Sequence, residues 1–363
     1  MFLQNLSLLQ FRNYKHGKIT FKPSINIIMG ENAIGKTNLL EAIYVLSLGK
    51  SFRTNHLAQL IFFGADYSRI QGDIISHERE KNLSLYFDNE CKKAKINSIT
   101  VAKTSTYMNH LNTVIFFPDD LSLIKASPRL RRKFLDLELC KISSKYMYYL
   151  RSFQELLKER NIYLKHLQQR KSLDTTYLSV LDEQLCSMQV EIIKRRYQFI
   201  TTLEMELQSV YRALTLNKEK ISLSYHCFVP IDSSVGDLVN LYQQNQKLDI
   251  QYGVTQKGVH KDDILISMNN RKAIYFSSQG QQRTIVLALK IALVEVIKEV
   301  IGEYPILLLD DVLSELDDYR KSMLLSVINK DIQTFITTTS LDGIAPSIIH
   351  NANHIDIASV LRG

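Results

Sequence analysis

The sequence predicts an α/β fold in which mixed sheets surround a glycine-rich loop and a helical subdomain interrupts the chain. The stretch "INIIMGENAIGKTNLLEAIYVLSL" passes from an apolar strand through a glycine-rich turn into an apolar helix. Between Pro128 and Pro230 there is neither proline nor glycine, and good helix formers dominate. Strand-like runs return after Pro230 and include the apolar segment "ILLLDD".

These differences in residue pattern divide the chain into a split head and an insertion. We assign residues 1–125 and 230–363 to the head and residues 126–229 to an all-helical insertion. A connection near "SLDTTY" would let two long helices run antiparallel as an arm. An ordinary helical subdomain without an arm explains the same pattern.

Short apolar runs place the remaining elements. In the first half of the head, the runs predicted as strands are "LQNLSLLQF", "GKITF", "SRIQGDIIS", "NLSLYF" and "TVIFFP". The helix after the glycine-rich turn should stop at Gly49, and a long helix should end at Gly302. In the second half, strands are predicted at "LDIQYGVT", "DILISMN", "KAIYFSS", "ILLLDD" and "FITTT".

Composition limits the function classes. The chain has 363 residues, 45% of them hydrophobic, which is enough for a large core. A net charge of +8 suits a polyanionic partner without requiring one. The four cysteines are far apart and form no CxxC pair, which favours reduced thiols over a zinc site. Without an apolar run of signal-peptide or membrane-span length, we predict a cytoplasmic protein with no membrane partner.

Residues 30–37, "GENAIGKT", have the spacing of a phosphate-binding loop. Gly30 and Gly35 permit a tight backbone path, Lys36 offers a charge to the outer phosphates, and the Thr37 hydroxyl can ligate Mg²⁺. The other residues predicted to line the nucleotide are Glu31, Asn32, Ala33, Ile34 and Asn38. A plain strand-to-helix turn with a surface lysine is the alternative, but the flanking strand and helix favour a nucleotide.

A buried acidic strand supplies the other half of such a site. "PILLLDD" ends in two carboxylates at the edge of the sheet. Asp310 would hold Mg²⁺ through a water, and Asp311 stands where a general base for an attacking water belongs. Alone this pattern is weak, because many strands end in an acidic turn.

A second anion-binding helix start decides between classes. In "SSQGQQR", Ser278 can donate a hydroxyl and Gly280 exposes its N–H at the start of the long apolar helix. One nucleotide does not need both helix starts from the same side, so we predict a homodimer in which this signature completes the partner's site. Simple N-capping by Ser278 is the alternative.

These motifs, with "FFPDDLSLIKASPRLRRKFLD" and "GVHKDD" between them, resemble the RecF family of bacterial recombination mediators, which is related to SMC and ABC-type ATPases. The similarity runs in order from about Leu6 to Leu341. The resemblance implies an ABC-type ATPase head with an inserted helical subdomain. It also implies an ATP-dependent DNA-binding homodimer in DNA replication, recombinational repair and the SOS response to DNA damage.

The resemblance further implies a clamp on duplex or gapped DNA that helps RecR and RecO load the recombinase, with slow ATP hydrolysis stimulated by DNA. Lys36 and Thr37 would bind ATP and Mg²⁺, and Asp310 would be the Walker B acid. Asp311 would be the catalytic carboxylate, acting with Lys36. The residues that would form the signature in trans are Ser278, Gly280 and Gln281. Arg12 and Arg53 would lie near the nucleotide.

Three departures from ABC heads bear on turnover. Gln279 replaces the first glycine of the signature, aspartate replaces the catalytic glutamate at Asp311, and threonines at 337–339 replace the switch histidine. The shorter carboxylate lies further from the water, so we predict slow turnover, which suits a switch better than a motor.

DNA contacts are less sharply predicted. The candidate cations form three clusters: Lys92, Lys93 and Lys95; Arg129, Arg131, Arg132 and Lys133; and Lys194, Arg195 and Arg196. An ordinary solvated helix face is the simpler explanation of any single cluster, although the total charge favours a polyanionic partner.

A small-molecule kinase of the phosphate-loop class is the alternative function. It would need an acceptor pocket and an arginine-bearing lid, and it would have no use for the second anion-binding helix start.

Overall fold

The computed structural model describes residues 1–102, 104–169 and 174–362. The chain divides into two compact units. The head unit comprises Met1–Leu121, Ser209–Glu219 and Arg283–Gly363, and the helical unit comprises Ser122–Gln208 and Lys220–Gln282. This division differs from the predicted one mainly at residues 209–219 and 230–282.

The strands follow the predicted runs through most of the head. They are β1 (Phe2–Phe11), β2 (Tyr14–Thr20), β3 (Ile25–Met29), β4 (Tyr67–Ser76), β5 (Arg79–Asp88), β6 (Lys92–Ile96), β7 (Ile99–Val101), β8 (Thr113–Phe116), β9 (Ile221–His226), β10 (Asp263–Met268), β11 (Arg271–Lys272), β12 (Ile306–Leu309), β13 (Thr334–Thr338) and β14 (Asn353–Asp356).

Helices fill the connections and most of the helical unit. They are α1 (Lys36–Leu48), α2 (Thr104–Met108), α3 (Ser122–Lys125), α4 (Pro128–Ile142), α5 (Ser144–Gln168), α6 (Thr176–Thr215), α7 (Val235–Tyr252), α8 (Ala273–Phe276), α9 (Gln279–Ile301), α10 (Asp318–Val327), α11 (Pro346–Asn351) and α12 (Ile357–Arg362).

The head unit holds a six-stranded antiparallel sheet and a five-stranded parallel sheet. The antiparallel order is β2-β1-β4-β5-β6-β7, and the parallel order is β14-β3-β13-β12-β8. Every residue of β8, β12 and β13 is buried, which explains why these strands read as continuous apolar or hydroxyl runs. Because the strands are parallel, the carboxyl ends of β3, β12 and β13 meet at one edge.

Two predicted strands are wrong, and β6, β7, β9 and β14 lie outside the predicted runs. "LDIQYGVT" was predicted as a strand, but residues 248–252 are the last turns of α7, which ends at Gly253 with φ +64°. In "KAIYFSS" the segment Ala273–Phe276 is the short helix α8. Conversely, β9 lies inside the stretch predicted to be helical, where it pairs with β10.

Helices α5, α6 and α7 pack together in the helical unit. Arg160 of α5 is fully buried and pairs with Asp182 of α6 at 2.6 Å and Asp249 of α7 at 2.7 Å. Part of the predicted connection "SLDTTY", with residues 170–173, lies outside the described residues. The predicted arm therefore stays a prediction.

A search of the described helices for one long and apolar enough to cross a bilayer finds none. All four cysteines are free thiols, as their spacing predicts.

Candidate nucleotide-binding site

Strand β3 delivers the chain to the glycine-rich loop, and α1 starts at its far side. Gly35 has φ +121°, a conformation that side chains disfavour. A Cβ on Gly35 would also lie 2.4 Å from Nδ2 of Asn13. The backbone conformation therefore favours glycine at this position, and a side chain here would also displace the amide of Asn13.

The turn between β1 and β2 braces this loop. The Asn13 amide donates to the carbonyl of Ile34 at 2.7 Å, and the Tyr14 hydroxyl donates to that of Gly35 at 2.9 Å. Asn38 in turn donates to Oδ1 of Asn13 at 2.8 Å. Sequence reasoning missed Asn13 and Tyr14, although "FRNY" already drew attention to their neighbour Arg12.

The Lys36 side chain folds back onto the phosphate-binding loop. Its ammonium donates to the carbonyls of Gly30 at 2.6 Å and Glu31 at 2.9 Å, and the residue is 8% exposed. Burial lowers the pKa of Lys36, while the charges of Asp311 and Asp310 oppose that shift. A phosphate anion would meet this cation inside the loop. Glu31, Asn32 and Ala33 are exposed on the loop itself.

Thr37 and Asp310 meet as predicted. The Thr37 hydroxyl donates to Oδ1 of Asp310 at 2.9 Å, which joins α1 to the end of β12. Burial raises the pKa of Asp310, and hydrogen bonds from Thr37 and Thr337 oppose the shift. A hydroxyl and a carboxylate oxygen beside a phosphate loop are the hard ligands that Mg²⁺ takes when substrate phosphates complete its shell. The residues therefore fit this metal.

Asp311 turns away from the strand in an unusual conformation. Its φ is +52°, in the left-handed region that only glycine adopts freely. Its N–H donates to Oγ1 of Thr337 at 2.8 Å, and its carbonyl accepts from the Ser314 hydroxyl at 2.8 Å. The side chain is half-buried, beside the charge of Lys36.

The buried carboxylate of Glu41 binds both Arg12 and Arg53, the two arginines predicted to lie near the nucleotide. Glu41 of α1 is fully buried, and both its oxygens accept from Arg12, at 2.8 and 2.6 Å. Arg53 reaches the same carboxylate at 3.4 Å and Oδ1 of Asn38 at 2.8 Å. The charge of Arg53 also opposes the rise in the pKa of Asp310, which places it near the acidic strand.

Sequence reasoning missed Glu41, although one signal was present. It is a charged residue in a helix whose neighbours Leu39, Leu40, Ala42 and Ile43 are all buried. A buried charge requires a partner.

The predicted signature lies at the start of α9, where residues up to Gln282 belong to the helical unit and Arg283 and the rest of the helix belong to the head unit. The Ser278 N–H donates to Oε1 of Gln281 at 2.7 Å, and the Gln281 N–H donates to Oγ of Ser278 at 3.3 Å. This reciprocal pair caps the helix, which is the simpler of the two predicted roles. Ser278 is exposed, and an anion contact by Ser278, Gly280 or Gln281 stays a prediction.

Several predicted DNA contacts are engaged within the chain. Arg196 is buried and binds Asp136 at 2.7 Å, so its prediction as a phosphate contact is wrong. Arg131 is paired with Asp263 at 2.7 Å. Further candidates that already have protein partners are Lys92, on the carbonyl of Gly49; Arg132, on that of Asp262; and Arg195, on Glu191. Besides Lys92, the exposed candidates are Lys93, Lys95, Arg129, Lys133 and Lys194.

The sequence was compared with protein-family models and with known proteins. The family model of the RecF/RecN/SMC N terminal domain matches residues 2–348. The chain is 44% identical over 358 residues to the DNA replication and repair protein RecF of Bacillus velezensis, with 97% of both chains covered. The RecF protein of Bacillus subtilis is also 44% identical over 358 residues.

Solved structures agree with the sequence comparison. The structure described as the recombination mediator protein RecF-ATP in the RecFOR pathway aligns with a TM-score of 0.86 and 33% identity, covering 95% of this chain and 93% of that one. An SMC head bound to the C-winged helix domain of ScpA aligns with a TM-score of 0.57 at 17% identity. The latter shows the shared fold, that of an ABC-type ATPase head.

Proposed function

The chain belongs to the RecF family of DNA replication and repair proteins, and from that premise we propose that it is an ATP-dependent DNA-binding protein of recombinational repair. ATP would bind at the loop of residues 30–37 with Mg²⁺. Two copies would then close on duplex or gapped DNA and release it after slow hydrolysis. RecR and RecO are the partners implied by family membership, and loading of the recombinase is the step served.

The observation that carries this proposal is the contact between Thr37 and Asp310. It joins the phosphate-loop helix to the acidic strand at 2.9 Å, at the edge where Lys36 lies. Those are the parts that a phosphate-loop ATPase needs to hold a nucleoside triphosphate with its metal. A relative at 33% identity was solved in an ATP form, which supports the same ligand here.

Hydrolysis would proceed by in-line attack of water on the γ-phosphorus. The bond between that phosphorus and the bridging oxygen breaks, and ADP and inorganic phosphate leave. Lys36 stabilises the charge on the outer phosphate oxygens, and Asp311 orients the water and accepts its proton. Mg²⁺, when bound, offsets the charge of the phosphates. Aspartate is shorter than glutamate, so the water is held less closely and turnover is slow.

The proposed dimerisation rests on the signature at the start of α9. The exposed start of α9 offers Ser278 and its neighbours to a second nucleotide, which supports completion of each site by the partner's signature. The net charge of +8 and the exposed lysines and arginines support a sequence-independent DNA contact. Lys93, Lys95, Arg129, Lys133 and Lys194 are the positions to test.

Light scattering with and without ATP tests the proposal. The 41.9 kDa chain should be a monomer alone and a dimer with ATP and Mg²⁺. Lys36→Ala removes the phosphate contact and Gly280→Asp places a negative charge at the signature, so both should abolish the dimer. Hydrolysis by the wild type should be slow and should rise when duplex DNA is added.

A matched control is Lys133→Ala, which removes an exposed cation outside the nucleotide site and should leave the ATP-induced dimer intact. A wild-type chain that stays monomeric with ATP and Mg²⁺ at high protein concentration would contradict the proposed dimer. Turnover that ignores DNA but rises with a small-molecule acceptor would point to a kinase.

A further inference from the structure

Thr337 lies in the central strand β13, between β3 and β12, and is 1% exposed. A hydroxyl buried this deeply needs partners, since desolvating it without hydrogen bonds costs free energy. Its two partners are both parts of the acidic pair at the end of β12. The strand thus places a polar side chain directly behind the predicted catalytic edge.

The Thr337 hydroxyl uses both of its hydrogen-bonding functions there. It donates to Oδ1 of Asp310 at 2.9 Å and accepts from the N–H of Asp311 at 2.8 Å. The donor and acceptor roles cannot be exchanged, because a backbone N–H only donates and a hydroxyl has one proton to give. One side chain therefore fixes the carboxylate of one aspartate and the backbone of the next.

Each of these two fixed groups needs such support. Oδ1 of Asp310 also accepts a hydrogen bond from the Thr37 hydroxyl, so this oxygen is held by both α1 and β13. Asp311 has φ +52°, and such backbone persists only where the surroundings hold it. Its N–H is held by Thr337 and its carbonyl by Ser314.

We propose that Thr337 is a positioning residue for ATP hydrolysis, which aims the carboxylates of Asp310 and Asp311 by holding one oxygen and one N–H. The inference rests on the proposed function. Thr337 touches neither nucleotide nor water in this role and acts through the two aspartates alone. Its loss should therefore affect the chemical step more than nucleotide binding, because the loop contacts of Lys36 do not depend on it.

The test compares Thr337→Val with Thr337→Ser in the full chain. Valine keeps the shape but removes both hydrogen bonds, whereas serine keeps the hydroxyl. We expect T337V to lower kcat for ATP hydrolysis about 10- to 100-fold, the equivalent of losing a hydrogen bond to a charged group. The KM for ATP should change less than about threefold, and T337S should restore most of kcat.

A second variant tests the same inference if T337V fails to fold. Ser314→Ala removes the other bond to Asp311 from an exposed side chain and should lower kcat in the same direction by a smaller factor. Wild-type kcat in T337V, or equal loss in T337V and T337S, would overturn the role of Thr337.

Crystal structures of the variants separate this inference from the proposed function. If the wild type hydrolyses no ATP, the proposed function fails, and Thr337 is judged on geometry alone. Asp311 should leave the positive φ region in T337V and keep it in T337S. An Asp311 backbone unchanged in T337V would overturn the inference whatever the wild type does.

Discussion

Glu41 carries a negative charge inside a helix whose neighbouring side chains are buried and apolar. Its carboxylate accepts from Arg12 at both oxygens, from Arg53 at 3.4 Å and from the Ser51 hydroxyl. Two cations thus share one buried anion, and the cluster keeps a net positive charge. A nucleotide triphosphate is the kind of ligand that would compensate this charge.

Glu41→Gln should destabilise the chain strongly, because it leaves Arg12 facing an amide in a buried site. We expect the free energy of unfolding to fall by about 3 kcal/mol, the usual effect of breaking a buried ion pair. Urea denaturation followed by circular dichroism measures it. Ser51→Ala is the control, since it leaves both arginines on Glu41 and removes only the hydroxyl, which donates to Glu41 and accepts from the N–H groups of Arg53 and Thr54; it should cost about 1–2 kcal/mol. Equal losses in the two variants would show that the ion pairs contribute little.

Site residues could be predicted from the sequence where chemistry and spacing are local. Gly35, Lys36 and Thr37 form one run, and Asp310 ends an apolar strand, so each carries its own signal. Glu41 and Thr337 carry none of comparable strength, because their meaning depends on partners far along the chain. A threonine in a buried strand is ordinary until the fold places Asp310 beside it.

At the scale of elements, the loop between α7 and β10 is built tightly around a histidine. His260 donates through Nε2 to the carbonyl of Thr255 at 3.2 Å, and its Nδ1 has no hydrogen-bond partner among the described residues. A Cβ on Gly258 would lie 2.9 Å from that nitrogen. Protonation at Nδ1 would place a proton, and a charge, where no acceptor stands.

Burial lowers the pKa of His260 to about 4, and the nearby cations Lys261, Arg132 and Arg160 add to this, while the bond to Thr255 opposes it. The unfolded chain takes up the proton near pH 6.5 and the folded chain only near pH 4. Stability is therefore complete above pH 6.5 and is lost as pH falls towards 4, by roughly 3 kcal/mol from this group.

The comparison of wild type with His260→Gln isolates that contribution, since glutamine keeps a donor for Thr255 and does not titrate. In urea unfolding at several pH values, the stability of the wild type relative to H260Q should fall between pH 6.5 and 4. A difference between the two proteins that does not vary with pH would contradict a neutral buried imidazole.

Elements were predicted well where periodicity and end signals agreed. The strand β3 and helix α1 are confirmed, including the stop at Gly49 with φ +65°. The prediction failed at "LDIQYGVT", because alternation over a few residues imitated a strand. The capping box of Ser234 and Asp237 starts α7, and the helix continues to Gly253. That signal was in the sequence, and it outweighs the short alternating run.

At the scale of the whole molecule, the proposed site needs a second copy of the chain. We propose that each nucleotide meets the loop of one copy and the signature of the other. Neither sequence nor a single chain reveals this directly, because a two-fold contact leaves no trace in local spacing. Only the second anion-binding helix start indicated it.

Mixing two inactive variants tests the composite site. A dimer of one Lys36→Ala copy with one Gly280→Asp copy has one intact site and one site with both defects. Because neither variant should dimerise alone, every dimer in the mixture is mixed and has one intact site of two, so at most about half of wild-type ATP hydrolysis should return. Measuring hydrolysis against mixing ratio, with each variant alone as control, checks this. A mixture no more active than its components would contradict sites shared between copies.

The order of the parallel sheet also determines when the site can form during synthesis. Strand β3, which carries the phosphate loop, pairs with β13 and β14, and both are made near the end of the chain. A ribosome that has released the loop has not yet supplied either neighbour. The first strand of the nucleotide site therefore waits for almost the whole protein, and nascent chains stopped before β13 contain the loop without the sheet that holds it.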